Sequence, residues 1–191
     1  MRLFPGLAIL TLGGVLLAAG LAPVVGGLWG QRQADARWQQ IVARPPQAAE
    51  TPAGGLPADV FRPVDGLDFR LTVPSLGYSE VVREGVGLDV LALGPGHYPK
   101  TAWPGQPGNV GVAAHNVYWL RFTELRPGDE LRLEARYGGF RYRVTGSRVV
   151  APADSWVLAP VPDRQLTLTT CWPVWAGQFA TQRLAIFAAS A

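Results

Sequence analysis

Apolar residues along this chain follow two regimes. From Leu3 to Trp29 no side chain is charged, and Leu7-Ala-Ile-Leu-Thr-Leu-Gly-Gly-Val-Leu-Leu-Ala-Ala19, continued through Leu28, is long enough to cross a bilayer as a helix of about 20 residues. Residues 1–30 are therefore expected to form an N-terminal transmembrane anchor. A cleavable signal peptide is the alternative, permitted by the small residues of Ala19-Gly20-Leu21-Ala22; Pro23 directly after the cut and the length of the apolar stretch argue against it. Residues 31–59 read as a juxtamembrane linker. Gln31 to Val42, with Trp38, extends the helix into the membrane interface, and Pro45-Pro46, Thr51-Pro52, Gly54-Gly55 and Pro57 then break any regular element.

From residue 60 to 191 the period changes to two, the signature of half-buried strands. Leu67, Phe69, Leu71 and Val73 alternate with Asp68, Arg70 and Thr72 until Pro74 stops the run. Val110, Val112 and Ala114 alternate toward His115; Leu131 and Leu133 alternate with Arg132 and Glu134; Phe140, Tyr142 and Val144 alternate with Arg141, Arg143 and Thr145. Gly138-Gly139 between the last two predicts a hairpin turn. Leu166, Leu168 and Thr170 face one way, Thr167, Thr169 and Cys171 the other, and Arg183-Leu-Ala-Ile-Phe-Ala188 alternates again. Phe122 to Leu125 is expected to form a short helical turn. Many short strands with few helix signals give a mainly β domain closed, or nearly closed, into a barrel.

Composition refines this only slightly. The 191 residues suit one domain plus a tail, and the 48% hydrophobic content with 16% charge is raised by the N-terminal segment. The net charge of +3 is small, and the arginines alternate with acids and apolar residues, so they read as solvated strand faces and not as a nucleic-acid patch.

Candidate chemistry centres on the only cysteine, Cys171, which ends a strand. A lone thiol without a disulfide partner, outside the cytoplasm, points to reactivity, although burial as a small hydrophobe is the common fate of such a residue. A cysteine nucleophile needs a proton-transfer partner and a group to stabilise an oxyanion. There are two histidines: His97 in the turn-forming Gly94-Pro-Gly-His-Tyr-Pro99, and His115 at the end of Gly108-Asn-Val-Gly-Val-Ala-Ala-His115. The strand end favours His115, where the sheet holds the ring yet leaves it open to a cleft. If the strand ending at Cys171 pairs antiparallel with the one beginning at Arg183, thiol and guanidinium become neighbours.

The ordered set Leu93-Gly-Pro-Gly-His-Tyr98, Pro104-Gly-Gln-Pro-Gly-Asn109, Val112-Ala-Ala-His115, Phe122-Thr-Glu-Leu125, Pro127-Gly-Asp129, Tyr142-Arg-Val144, Leu166-Thr-Leu-Thr-Thr-Cys171 and Arg183-Leu184 resembles the sortases, membrane-anchored cysteine transpeptidases. The likeness runs from about Leu67 to the C-terminus; it resembles class D and E members most in feel and assigns no class. It implies an eight-stranded sortase-like β-barrel with short helices behind one transmembrane helix, with residues 60–191 as the catalytic domain. It also implies His115, Cys171 and Arg183 as the catalytic set, with His115 preferred over His97. Thr170, Ala114, Trp156, Leu158 and Trp172 are the substrate-binding candidates that follow. Ala114 departs from the family, which usually has glycine before the histidine, and its methyl group is expected to narrow the cleft or shift the strand.

The resemblance implies cleavage of a Leu-Pro-x-Thr-Gly-like sorting signal through a Cys171 thioester and transfer to an amine from a cell-wall peptide or a pilin lysine. The loop from Val150 to Arg164 is expected to build part of the signal groove, and the loop from Trp172 to Gln182, with Trp175 and Phe179, to gate the amine side. Expected partners are secreted proteins with such signals and the membrane, with the catalytic domain extracytoplasmic. Two other readings stay open: an L,D-transpeptidase-like enzyme, whose Ser-x-Gly-Cys-x-Arg pattern is absent around Cys171, and a non-catalytic membrane-tethered β-domain. No cofactor is expected; no cysteine or histidine cluster points to zinc, and acids such as Asp89 and Glu124 do not make a calcium site.

Overall fold

A computed structural model of the chain describes residues 25–43 and 58–191. Eight strands close into one barrel in the order β1-β2-β3-β4-β7-β8-β6-β5. They are β1 (Leu67–Val73), β2 (Tyr78–Glu84), β3 (Gly96–His97), β4 (Gly108–Ala113), β5 (Glu130–Ala135), β6 (Gly138–Val150), β7 (Arg164–Trp172) and β8 (Gln182–Ser190). Helical residues 25–42 form α1, and Leu88–Leu91 form the single turn α2. Neighbours pair antiparallel except β2 with β3 and β4 with β7, which are parallel.

Alternation explains which residues line the barrel. In β5, Leu131 and Leu133 are fully buried while Arg132 and Glu134 are exposed, and in β6 Tyr142 and Val144 are buried between exposed Arg141, Arg143 and Thr145. The arginines of these strands are thus solvated faces, as their spacing predicts. Phe69, Leu71, Val110, Val112, Leu166, Leu168 and Ile186 fill the interior with them. A second, smaller cluster of Val150, Val157 and Ala185 lies under the β6–β7 connection.

Three local expectations are corrected. The hairpin between β5 and β6 turns at Arg136-Tyr137, because Gly138 and Gly139 already pair with Ala135 and Glu134. The helical turn begins earlier than expected, as a 3₁₀ segment over Leu120–Glu124. Residues 31–42 are helical, as the continuation of the helix through Gln31 to Val42 predicts, but they pack on the barrel where the membrane interface was expected. Trp38 is 1% exposed and Ala34 2%, both within the main core. Gln31 donates to the carbonyls of Val81 (3.3 Å) and Leu93 (3.0 Å) and accepts from the Val81 amide (3.2 Å). Arg83 donates to the Gly30 carbonyl at 2.7 Å, and Asp35 pairs with Arg70 of β1 at 2.9 Å. Such close seating requires Gly94, at φ +139°, where a Cβ would overlap the Gln31 amide.

The expected transmembrane span over residues 1–30 lies mostly outside the described residues. Among those described, no helix is long and apolar enough to cross a membrane.

Candidate active site

Pairing register brings three of the predicted residues to one end of three adjacent strands. Cys171 of β7 is the direct antiparallel partner of Arg183 of β8. On its other side β7 runs parallel to β4 with Ala113 opposite Thr169, and the ladder continues through the Ala114 amide, which donates to the Thr169 carbonyl at 3.2 Å. His115 therefore stands level with Cys171. The pleat puts all three on the outer face of the barrel. Val110, Val112 and Ala114 point into the core, so His115 points out; Leu166 and Leu168 point in, so Cys171 points out; Leu184 and Ile186 point in, so Arg183 points out. Cys171 is a free, half-buried thiol.

The strand ends are locked from inside. Thr170 is 3% exposed and its hydroxyl donates to the Ala114 carbonyl at 2.9 Å, tying β7 to β4 one residue before both Cys171 and His115. Ala114 packs in the interior, so its methyl group faces the barrel core and not the cleft, contrary to the expectation that it narrows the cleft. Beyond His115 the chain turns back, the Tyr118 amide donating to the His115 carbonyl at 3.0 Å. Asn116 donates to the Gly177 carbonyl at 3.3 Å, joining the His115 turn to the β7–β8 connection. Burial lowers the His115 pKa below the ordinary histidine value, so the ring is mostly neutral at neutral pH.

A cavity of about 700 Å³ opens beside His115, lined by Ala92, Val117, Tyr118, Gly177, Gln178 and, from α1, Leu28. Trp175 and Phe179 of the β7–β8 connection are 81% and 78% exposed, which excludes a core role for them. Trp172 follows Cys171, pairs with Gln182 and packs against the main core.

The remaining candidates lie away from the thiol. Trp156 stacks on Phe187 with centroids 6.1 Å apart, beneath the Arg148 guanidinium, and lines a separate cavity of about 460 Å³ over β6 and β8. Leu158 lines another, of about 500 Å³, with Thr101, Gln106 and Asn109. The Asn109 amide holds this connection by donating to the Val157 carbonyl at 3.0 Å. The β6–β7 connection thus covers the outer face of β4 and β7 upstream of Cys171, while neither of its two candidates shares the His115 cavity.

His97 is occupied elsewhere. It is 1% exposed, with Nδ1 2.8 Å from the Asp68 carboxyl and Nε2 donating to the Ala102 carbonyl at 3.0 Å. The Thr101 hydroxyl donates to the Tyr98 carbonyl, so it too accepts from Nε2. Burial raises the Asp68 pKa, against the opposing pull of His97. With both ring nitrogens engaged in the interior, His97 has no route to the thiol. Sequence reasoning missed Asp68 as its partner, and missed Tyr118 and Asn116 as the groups that shape the His115 turn.

Comparison with known proteins agrees with this geometry. The Sortase domain family model matches residues 71–191. Sortase D of Bacillus subtilis (strain 168) is 31% identical over 105 residues, which cover 54% of this chain and 53% of that protein, so the chain spans about half the length of this curated relative. The Clostridium perfringens Sortase D5 transpeptidase superposes with a TM-score of 0.61 at 27% identity, covering 65% of this chain and 79% of that one. A sortase E mutant from Streptomyces avermitilis gives 0.60 at 34% identity, covering 68% and 91%. A closed eight-stranded barrel, a cysteine and an arginine paired across β7 and β8, and a family match over most of the described barrel lead to one assignment: the chain belongs to the sortase family.

Proposed function

We propose that this chain is a cysteine transpeptidase that cuts a Leu-Pro-x-Thr-Gly-like sorting signal on secreted proteins and joins the new carboxyl end to an amine. The observation that supports this most directly is the placement of His115, Cys171 and Arg183 on the same outer face, at the same end of β4, β7 and β8. A half-buried thiol also speaks against an inert core cysteine.

In the proposed reaction the Cys171 Sγ attacks the threonine carbonyl carbon and forms the C–S bond. The Thr–Gly C–N bond breaks, and the His115 imidazolium gives its proton to the departing amine. Arg183, directly across from the thiol, faces the carbonyl oxygen as negative charge develops. An incoming amine, losing its proton to neutral His115, attacks the thioester carbonyl and expels the Cys171 thiolate. Water in place of the amine gives hydrolysis. The lowered His115 pKa suits the second half-reaction, since the neutral ring is the base, and leaves the acid form a minority at neutral pH. A cell-wall peptide or a pilin lysine is the amine in this reading. The charge-free stretch that leads from Leu3 into α1 tethers the enzyme to the membrane, ahead of the turns that pack on the barrel, with the barrel outside the cytoplasm.

The test is cleavage of a Leu-Pro-x-Thr-Gly peptide library by the purified chain with a panel of amines. Product from at least one peptide, lost in Cys171→Ala, is expected; no cleavage anywhere in the library counts against the proposal.

A further inference from the structure

The cavity beside His115 has a wall that belongs to neither the barrel nor its loops. Leu28, in the first described turns of α1, lines it together with His115, Val117 and Gln178. This placement is built in. At Gly27 a Cβ would overlap the Tyr118 hydroxyl, so any larger residue there would have to push the Tyr118 ring aside. That hydroxyl donates to the Ala92 carbonyl at 2.7 Å, and Tyr118 closes the turn that starts at His115. Three residues after Gly27 the helix is fastened again, through Gly30 to Arg83 and through Gln31 to Val81 and Leu93. Leu28 itself is 58% exposed, in a helix end where Val25 and Trp29 are exposed as well.

Resting on the proposed transpeptidase reaction, we infer that α1 is an active-site element: Leu28 closes the amine-side pocket and selects an acceptor whose amine is carried on an uncharged, apolar stem. The pocket lies on the side of His115 that carries Gly177 and Gln178, the connection leaving Cys171, so an amine delivered to His115 has its stem among these residues. Their chemistry defines the ligand class. Leu28, Ala92 and Val117 are apolar, Gln178 is a neutral amide, and among the described residues the lining contains neither a carboxylate to hold a second ammonium group nor a lysine or arginine to hold a carboxylate. A stem ending in a charge would be desolvated there without a partner.

The experiment uses the full chain in detergent micelles with a cleavable sorting-signal peptide and three acceptors that share one methylene stem: 6-aminohexanamide, 6-aminohexanoate and cadaverine. Thioester appearance on Cys171 and transfer product are followed separately. The parent is expected to use the neutral amide best. Leu28→Asp is expected to raise the KM for 6-aminohexanamide tenfold or more, to narrow the gap to cadaverine, and to keep the rate of thioester formation within twofold; Leu28→Ala falls between. Equal acceptor KM values in parent and both variants, with normal thioester formation, overturn the role of α1 and leave the transpeptidase reading intact. A parent that forms no thioester overturns that reading and this inference with it. Because Leu28 is exposed, its substitution leaves the fold in place.

Discussion

At the scale of single residues, the site depends on side chains whose roles separate experimentally. Removing the nucleophile in Cys171→Ala is expected to lower kcat/KM for peptide cleavage on the order of 10³-fold or more, as for nucleophiles of other acyl-transfer enzymes. Arg183→Lys keeps the charge but not the planar fork, and in its proposed role as oxyanion donor Arg183 is expected to contribute about 10²-fold to 10³-fold; steady-state cleavage assays check both. The NMR titration midpoint of His115 is expected below 6.5, because burial disfavours its cation; a midpoint at or above 6.5 contradicts that assignment. Glu80 offers a stability test away from the site. Burial, reinforced by Asp35 and partly opposed by the hydrogen bond from Tyr78, pushes its pKa from 4.5 up to about 6. A raised carboxyl pKa means that the folded state holds its proton more tightly, so the stabilisation is present below pH 4.5 and lost as pH rises through about 6. This corresponds to about 2 kcal/mol. Glu80→Gln is expected to remove that loss, so urea unfolding at pH 4 and pH 7.5 differs less for the variant than for the parent.

At the scale of elements, the buried Asp68–His97 pair bridges β1 and β3, strands that are not neighbours in the barrel, and Phe69 and Trp103 both pack edge-on to the imidazole with centroids 5.2 Å away. Asp68→Ala leaves the His97 Nδ1 without its partner in the interior, and about 3–5 kcal/mol of destabilisation is expected in chemical denaturation. Most elements were legible where one face is buried and the other wet. Leu131 and Leu133 against Arg132 and Glu134 is such a case. Where burial departs from alternation, legibility fails. In β2 the consecutive residues Val81 and Val82 are both buried, and β3 has two residues, so neither shows a period. Thr170 was placed among substrate-binding candidates although its parity with Leu166 and Leu168 already pointed it inward. The hydrogen bond to Ala114 gives it a positioning role instead.

At the scale of the whole molecule, the barrel and α1 form one packed unit, and the end of β4 that leads into His115 faces the first described turns of that helix. Gln31, Ala34 and Trp38 recur at helical spacing, a docking stripe hidden within an otherwise polar segment. Trp38→Ala is expected to cost about 3–5 kcal/mol and to be seen as a lower Tm, since a fully buried indole leaves a large cavity. The cysteine and arginine were legible together because a hairpin end is a long-range contact that sequence order alone reveals. His115 joined them by its place at a strand end and by resemblance; its pocket was not legible, because Leu28, Ala92 and Gln178 come from three distant segments.

The most direct test of the central claim is intact-mass spectrometry of the full chain after rapid mixing with a Leu-Pro-x-Thr-Gly peptide and acid quench. The account predicts a mass increase equal to the acyl fragment ending in threonine, mapped to Cys171, discharged by hydroxylamine and absent in Cys171→Ala. A peptide that is cleaved with no adduct at any quench time, and is cleaved equally by Cys171→Ala, would contradict it.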